Sequence, residues 1–182
     1  MKRKQIASII IVSASIVAGI ALAAQDRYTV KVPGGLAFSE FRGYEGWQAI
    51  SISSTEKAVA VILGNPAMID AYRNGIPANG KPVPDGAKMA KIHWTPKKNQ
   101  FFPTATVPGD MQNVDFMVKD SKRFSDSGGW GYAVFDYNTA SDTFTPGTTA
   151  GTPPQGNDAK CGFACHTIAK NRDYVFTEFP KR

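Results

Sequence analysis

Residues 46–63, GWQAISISSTEKAVAVIL, decide the fold class. Within this stretch, residues 46–53 and 56–63 are rich enough in Ile and Val to predict two β-strands. Similar apolar runs, several of which alternate apolar with polar side chains, predict further strands at residues 28–32, 89–94, 114–118, 130–137 and 174–176. The chain is therefore expected to build a sheet from short, separate strands.

A short helix is predicted directly after the first two of these strands. Asn65 is followed by proline, which is the pairing of an N-cap with the first helical position, and the Asn-Gly pair at residues 74–75 is typical of a helix end. This helix would turn Ile69 and Tyr72 inward. Separate strands with two or three short helices indicate the α+β class, an antiparallel β-sheet domain with a few short helices.

The first 23 residues have the composition of a bacterial export signal. Three basic residues precede an uncharged apolar stretch, residues 6–24, which ends in small residues, and cleavage is expected after Ala23. The mature protein would then be a single periplasmic domain, residues 24–182. A membrane is an expected partner only if the segment stays uncleaved as an anchor.

Loss of that segment changes the charge of the protein. The complete chain of 182 residues has a net charge of +6, and removal of Lys2, Arg3 and Lys4 leaves about +3. No Lys/Arg cluster remains, so nucleic acid is not an expected partner. The composition, 42% hydrophobic, is that of a folded domain. Because the chain has only two cysteines and two histidines, their chemistry is expected at one place.

The sequence CGFACH, residues 161–166, contains both cysteines and one histidine, and follows a long loop predicted over residues 138–160. In c-type haem attachment, two Cys thiols bond to the porphyrin and the His after the second Cys binds the iron. Cys165 and His166 have that adjacency, but three residues separate the cysteines where two are usual. The extra residue moves Cys161 by about a quarter of a helical turn. A local bulge would absorb this shift, or Cys165 alone would hold the haem.

Three other interpretations of this motif compete with haem attachment. Cys161 and Cys165 could form a disulfide, which an exported protein permits. A structural zinc ion would need His93 as its fourth ligand, and the adjacent Cys165 and His166 fit poorly on one tetrahedral ion. A thioredoxin-like redox pair would need two intervening residues near a βαβ unit, and the chain shows neither.

Further motifs occur in a fixed order along the chain. They are PDGAKMAK at residues 84–91, VKDSKRF at 118–124, GW at 129–130, CH at 165–166 and DYVFT at 173–177. This set, with its order and spacing, resembles the cytochrome P-460 family of bacterial periplasmic mono-haem cytochromes, and the resemblance extends over residues 38–179.

The resemblance implies a cofactor and the residues that hold it. One covalently attached haem c would be bound through thioethers from Cys161 and Cys165, with His166 as the iron ligand. Lys91 matches the lysine whose side-chain nitrogen bonds to a haem meso carbon in the hydroxylamine-oxidising members. Lys88 is the alternative if the register slips, although its side chain would point to the other face of the strand.

The resemblance also implies an activity and its partners. The hydroxylamine-oxidising members form nitrous oxide or other nitrogen oxides and pass electrons to an external acceptor such as a small cytochrome, so an oxidoreductase is one expectation. Related c-prime-beta cytochromes lack the lysine bond and bind nitric oxide or other small gases without turnover, which makes a non-catalytic gas-binding protein the alternative. Family members are typically homodimers, and a homodimer is expected here.

Strand periodicity adds one expectation about the haem pocket. If Lys91 faces the haem, Met89 and His93 share that face, because alternate side chains of a strand point to the same side. His93 is then a candidate catalytic residue, able to donate to a bound nitrogen species or to carry protons near neutral pH. A half-buried strand histidine with a local partner is the structural alternative. Candidates for the pocket wall, which are also candidates for the core, are Phe116, Trp130 and Phe135.

Overall fold

The computed structural model describes residues 24–31, 35–147 and 160–182, with only the backbone of residues 160 and 161. The predicted export signal, residues 1–23, lies outside these ranges. Six strands form one sheet in chain order with every neighbouring pair antiparallel, which confirms the predicted α+β class. The strands are β1 (Gln48–Ser54), β2 (Val59–Gly64), β3 (Lys88–Lys98), β4 (Thr106–Lys119), β5 (Trp130–Asn138) and β6 (Thr143–Pro146), and the α-helices of the described residues are α1 (Pro66–Arg73) and α2 (Lys160–His166).

Cross-strand pairing arranges the side chains of β2 to β5 into rows. Ile62, Lys91, Asp115 and Val134 lie directly opposite one another on successive strands, and we call this set the central row. Directly opposed residues point to the same side of a sheet. The central row therefore marks one face, and the residues between its members on each strand mark the other.

The face opposite the central row carries an aromatic core. Phe116 of β4 is fully buried there, and its ring stacks on that of Phe41 with a centroid distance of 4.0 Å. The covering layer comes from the N-terminal segment, mainly from the 3-10 helices Phe38–Phe41 and Tyr44–Gly46. Burial of this face fixes which side chains of each strand point the other way.

The face of the central row packs against α1 and the C-terminal segment. Trp130 is fully buried in this second cluster, together with Met68 of α1 and Val175 near the C-terminus. None of the helices in the described ranges is long and apolar enough to cross a membrane.

Two of the predicted strands are wrong. Arg27–Thr29 is a 3-10 helix and not a strand, because the Asp26 side chain caps it by accepting a hydrogen bond from the Tyr28 N–H at 3.0 Å. Residues 32–34 lie outside the described ranges. At the C-terminus no strand forms over residues 174–176, since the left-handed φ of Tyr174, 64°, interrupts the extended backbone.

The predicted loop over residues 138–160 is also wrong in part. Thr143–Pro146 forms β6, which pairs with β5 at the edge of the sheet. Residues 148–159 lie outside the described ranges. The strands expected at residues 46–53, 56–63, 89–94, 114–118 and 130–137 are confirmed as β1 to β5, although β3 and β4 are longer than predicted, with 11 and 14 residues.

The predicted helix start is confirmed and has a second function. The Asn65 side-chain oxygen accepts a hydrogen bond from Met68 N at 3.1 Å, which caps α1, and another from Lys88 N at 2.9 Å. The amide nitrogen of Asn65 donates to the Gly86 carbonyl. One side chain thus joins the start of α1 to the start of β3.

Replacement of this side chain tests the connection. We expect Asn65→Ala to lower the free energy of unfolding by about 1–2 kcal/mol, at the upper end for an N-cap because the Lys88 N–H also loses its partner. Urea unfolding of the holoprotein measures the effect. Gln100→Ala, at an exposed position where the side chain makes no hydrogen bond within the described residues, is the control and is expected to change stability by less than about 0.5 kcal/mol. Equal stability of the two variants would contradict the joint role of Asn65.

Candidate functional site

A cavity of about 530 Å³ lies against the face of the sheet that carries the central row. This volume is within the range of ligand and cofactor sites, roughly 300–1,000 Å³. All four residues of the central row line it, and the other lining residues are mainly apolar, among them Met89, Met117 and Tyr132 of the sheet. The C-terminal segment contributes α2 and residues 175–177.

His166 ends α2 and lines this cavity through a ring whose orientation is fixed. Its Nδ1 lies 2.6 Å from the carbonyl oxygen of Tyr174. Because a carbonyl can only accept, Nδ1 carries the proton and donates, which leaves the lone pair on Nε2. The ring lies between those of Tyr132 and Phe176, at centroid distances of 5.2 and 4.8 Å.

The electrostatic surroundings of His166 favour its neutral form. Burial lowers the pKa of the imidazole and the nearby charge of Lys91 lowers it further, while the hydrogen bond with Tyr174 and the charge of Asp115 oppose this only in part. A neutral imidazole with a free ring nitrogen is the form that binds a metal.

Cys165 precedes His166 on α2 and also lines the cavity, with an exposed, free thiol. The helix is uninterrupted over Lys160–His166, so no bulge absorbs the extra residue of the motif. The backbone of Cys161 lies one helical turn before Cys165. The side chain of Cys161 is outside the described part of the structure, and its thioether remains a prediction.

Gly162 allows α2 to approach the sheet closely. A Cβ atom at this position would lie 2.6 Å from Cγ of Tyr132 and 2.7 Å from its Cβ. Real side chains do not accept such contacts, so the helix carrying Cys165 and His166 can rest on the Tyr132 ring only because residue 162 is glycine.

Lys91 reaches the cavity from the middle of β3. Within the described part of the chain, no hydrogen bond or ion pair uses its amine. Lys88 points to the other face, where its amine donates to the Glu40 carbonyl and lies 5.6 Å from the ring centroid of Phe41. Of the two lysines weighed from the sequence, Lys91 is thus the one beside His166.

Asp115 is a cavity residue that the sequence analysis missed. It stands directly opposite Lys91, and its carboxylate lies 2.9 Å from Nε2 of His93. His93 itself is not among the residues that line the cavity and reaches it through Asp115. The signal available in the sequence was an acidic residue between Val114 and Phe116, on the polar side of an alternating strand.

The aromatic residues named as pocket candidates all belong to the core. Phe116, Trp130 and Phe135 are fully buried in the two core clusters, and of the three only Phe116 also borders the cavity. Across the described residues, no group of three or more His, Cys, Asp or Glu side chains could hold a metal ion by itself.

These residues fit a covalently held haem. The cavity has the size of a cofactor site, one wall presents an imidazole with an unprotonated nitrogen, and an exposed thiol lies next to it in sequence. The sheet contributes a carboxylate to the lining and an amine that has no hydrogen-bond or ion-pair partner among the described residues. An apolar pocket with a single imidazole ligand suits a haem iron, since porphyrin nitrogens supply the remaining ligands.

Comparison with known proteins agrees with this geometry. A family model described as Cytochrome P460 matches residues 41–177. The match includes the whole sheet, the central row and the CGFACH motif. Comparison with curated proteins finds no match.

A substitution in α2 tests the contact between helix and sheet. We expect Gly162→Ala to destabilise the holoprotein by about 1–3 kcal/mol, because the added methyl group cannot fit against Tyr132, and to change the visible absorption spectrum by displacing His166. Urea unfolding and absorption spectroscopy measure both effects. Ala164→Ser, at an exposed position of the same helix, should leave both unchanged. A Gly162→Ala variant with the stability and spectrum of the wild type would refute the close contact.

Proposed function

Because the chain belongs to the cytochrome P460 family and has one covalently attached haem c as its cofactor, we propose that it is an enzyme that oxidises hydroxylamine to nitrous oxide or other nitrogen oxides. The observation that carries this proposal is the amine of Lys91, which lies in the same cavity as His166 and has no partner among the described residues. The same family membership favours haem over the plain disulfide as the role of the CGFACH motif.

The proposal assigns one task to each residue that holds the cofactor. Nε2 of His166 would bind the iron, and Nζ of Lys91 would bond to the haem ring. Cys165 would form one thioether, and Cys161, one regular helical turn before it, would form the second without a bulge. When bound, the haem would supply an iron that binds a small nitrogen ligand and receives the electrons removed from it. A lysine bonded to the ring alters the electronic properties of the macrocycle, which a gas-binding cytochrome does not require.

Proton transfer is the task proposed for Asp115 and His93. Oxidation of hydroxylamine releases protons together with electrons, and the cavity is otherwise mainly apolar. The Asp115 carboxylate lies in the cavity and can accept a proton there, while His93 contacts Asp115 and has a side chain that is 17% exposed. Asp115, whose own side chain is 38% exposed, would take the proton, and His93 would share it through their contact, so the two residues form a short proton path.

The same proposal covers the ligand pocket, the electron acceptor, the location and the oligomeric state of the enzyme. Ile62, Met89 and Met117 line the cavity with apolar side chains around the proposed small nitrogen ligand. The electrons pass to an external acceptor such as a small cytochrome. Export by the N-terminal segment places the protein in the periplasm, where it acts as a homodimer.

Peptide mass spectrometry tests the lysine bond. After denaturation and digestion of the holoprotein, we expect haem on the peptide that contains Cys165 and also on the one that contains Lys91. Lys91→Arg should remove the second attachment, shift the visible absorption bands and abolish hydroxylamine oxidation, because a guanidinium cannot form the same bond. Lys88→Arg is the matched control and should retain all three properties. Haem on the cysteine peptide alone would contradict the proposed enzyme and would support the alternative, a c-prime-beta-like protein that binds nitric oxide.

A second experiment tests the proton path. We expect Asp115→Asn to lower kcat/KM for hydroxylamine by about a hundredfold, since the loss of a proton-transfer group typically costs about 10²–10⁴-fold. His93→Ala should cost less, about tenfold, because Asp115 still accepts the proton. Haem content should be unchanged in both variants. Steady-state assays with an artificial electron acceptor measure kcat/KM in each. Asp110→Asn, at an exposed acidic position of the same strand, should have no effect. Unaltered spectra, ligand binding and turnover in His93→Ala would remove His93 from the path.

A further inference from the structure

The side chain of Lys119 is a buried ammonium at the end of β4. The residue is 5% exposed, and its amine uses all three of its hydrogens: one for the carbonyl of Gly128 at 2.9 Å and two for the carboxylate oxygens of Asp173 at 2.8 and 2.9 Å. It also lies 5.1 Å from the ring centroid of Trp130. A buried ion pair adds little stability over apolar residues of the same shape. Stability alone therefore does not explain why this pair is buried here.

Asp173 is fixed by more than this ion pair. Its carboxylate also accepts a hydrogen bond from Val83 N at 2.8 Å, and its backbone carbonyl accepts one from the Trp130 indole at 2.8 Å. The donors come from three separate parts of the chain. Together these hydrogen bonds fix the position of Asp173 relative to the sheet.

This anchorage supports an unfavourable backbone turn. Asp173 and Tyr174 are consecutive non-glycine residues with φ of 49° and 64°, in the left-handed region. Residues with a Cβ adopt this region only when the surrounding contacts hold them there. The turn directs the Tyr174 carbonyl to Nδ1 of His166.

Two glycines next to the pair make the arrangement possible. A Cβ at Gly128 would overlap the Tyr174 ring, and one at Gly129 would lie 3.2 Å from Nζ of Lys119. Both glycines have positive φ, 68° and 82°. The neighbouring motifs VKDSKRF and GW therefore meet DYVFT, residues 173–177, next to His166.

We propose that Lys119 is a positioning residue for the proposed iron ligand, His166. Through Asp173, Lys119 holds the Tyr174 carbonyl at the hydrogen bond of His166 Nδ1 and thereby sets how strongly Nε2 would donate to the haem iron. The inference rests on His166 as the iron ligand, which is part of the proposed function, but not on hydroxylamine oxidation or on the Lys91 bond. An acceptor on the far ring nitrogen fixes the imidazole and raises its basicity. A more basic ligand favours the ferric iron over the ferrous.

The experiment compares two lysine-to-methionine variants of the holoprotein. Lys119→Met removes the ammonium and keeps the aliphatic part of the side chain. We expect it to shift the ferrous-to-ferric equilibrium about tenfold towards the ferrous form, a rise of ~59 mV for a one-electron couple, and to lower the iron–histidine stretching frequency. Redox titration and resonance Raman spectroscopy of the ferrous protein measure these two quantities.

Lys88→Met is the matched control, because Lys88 also donates to a backbone carbonyl but on the other face of the sheet. It should leave the potential and the stretching frequency unchanged. If Lys119→Met yields no holoprotein, Asp173→Asn, which keeps the shape of the side chain, is judged by the same two measurements. If the variant that binds haem keeps the wild-type potential and stretching frequency, the proposal is overturned, even if that variant is less stable. Absence of an iron–histidine band from a five-coordinate ferrous wild type would instead contradict His166 as the ligand.

Discussion

The pairing of β3 with β4 is the constraint on which the site depends, because it places Lys91 directly opposite Asp115. If each of these strands shifted by one residue, the side chains on its two faces would change places. Lys91 and Asp115 would then enter the aromatic core, and Ala90 and the Phe116 ring would turn to the cavity face. Ala90 and Phe116 are almost fully buried on the other face, so their burial opposes that change. The chemistry of one face of the sheet is thus specified by apolar packing on the other.

A polar contact secures the same pairing at its end near the cavity. The carboxylate of Asp85, in the turn before β3, accepts hydrogen bonds from the backbone and the hydroxyl of Ser121, just after β4, at 2.8 and 2.7 Å. These bonds lower the pKa of Asp85 and keep it ionised. The PDGAKMAK and VKDSKRF motifs therefore contact one another, which accounts for their joint occurrence in the sequence.

Local sequence signals predicted the central sheet and α1, because these elements depend on strand alternation and on an N-cap. They also placed Met89 and Lys91 on one face. Asp115 was missed because its importance comes from its cross-strand partner, which is distant in sequence. The C-terminal segment was predicted wrongly for a similar reason: the turn at Asp173 and Tyr174 is stabilised by Lys119 and Trp130, and nothing in the DYVFT sequence itself indicates it.

The position of Lys91 and Cys165 on different parts of the chain has a consequence for folding. In the proposed holoprotein both residues are bonded to one haem, which makes the cofactor a covalent cross-link between the middle of the sheet and the C-terminal helix. It closes a loop of roughly 75 residues, and by the chain-entropy estimate used for disulfides such a closure destabilises the unfolded state by about 4 kcal/mol. In the unfolded holoprotein the haem would still link β3 to α2. The C-terminal helix would therefore begin refolding covalently attached to a strand of the sheet against which it packs.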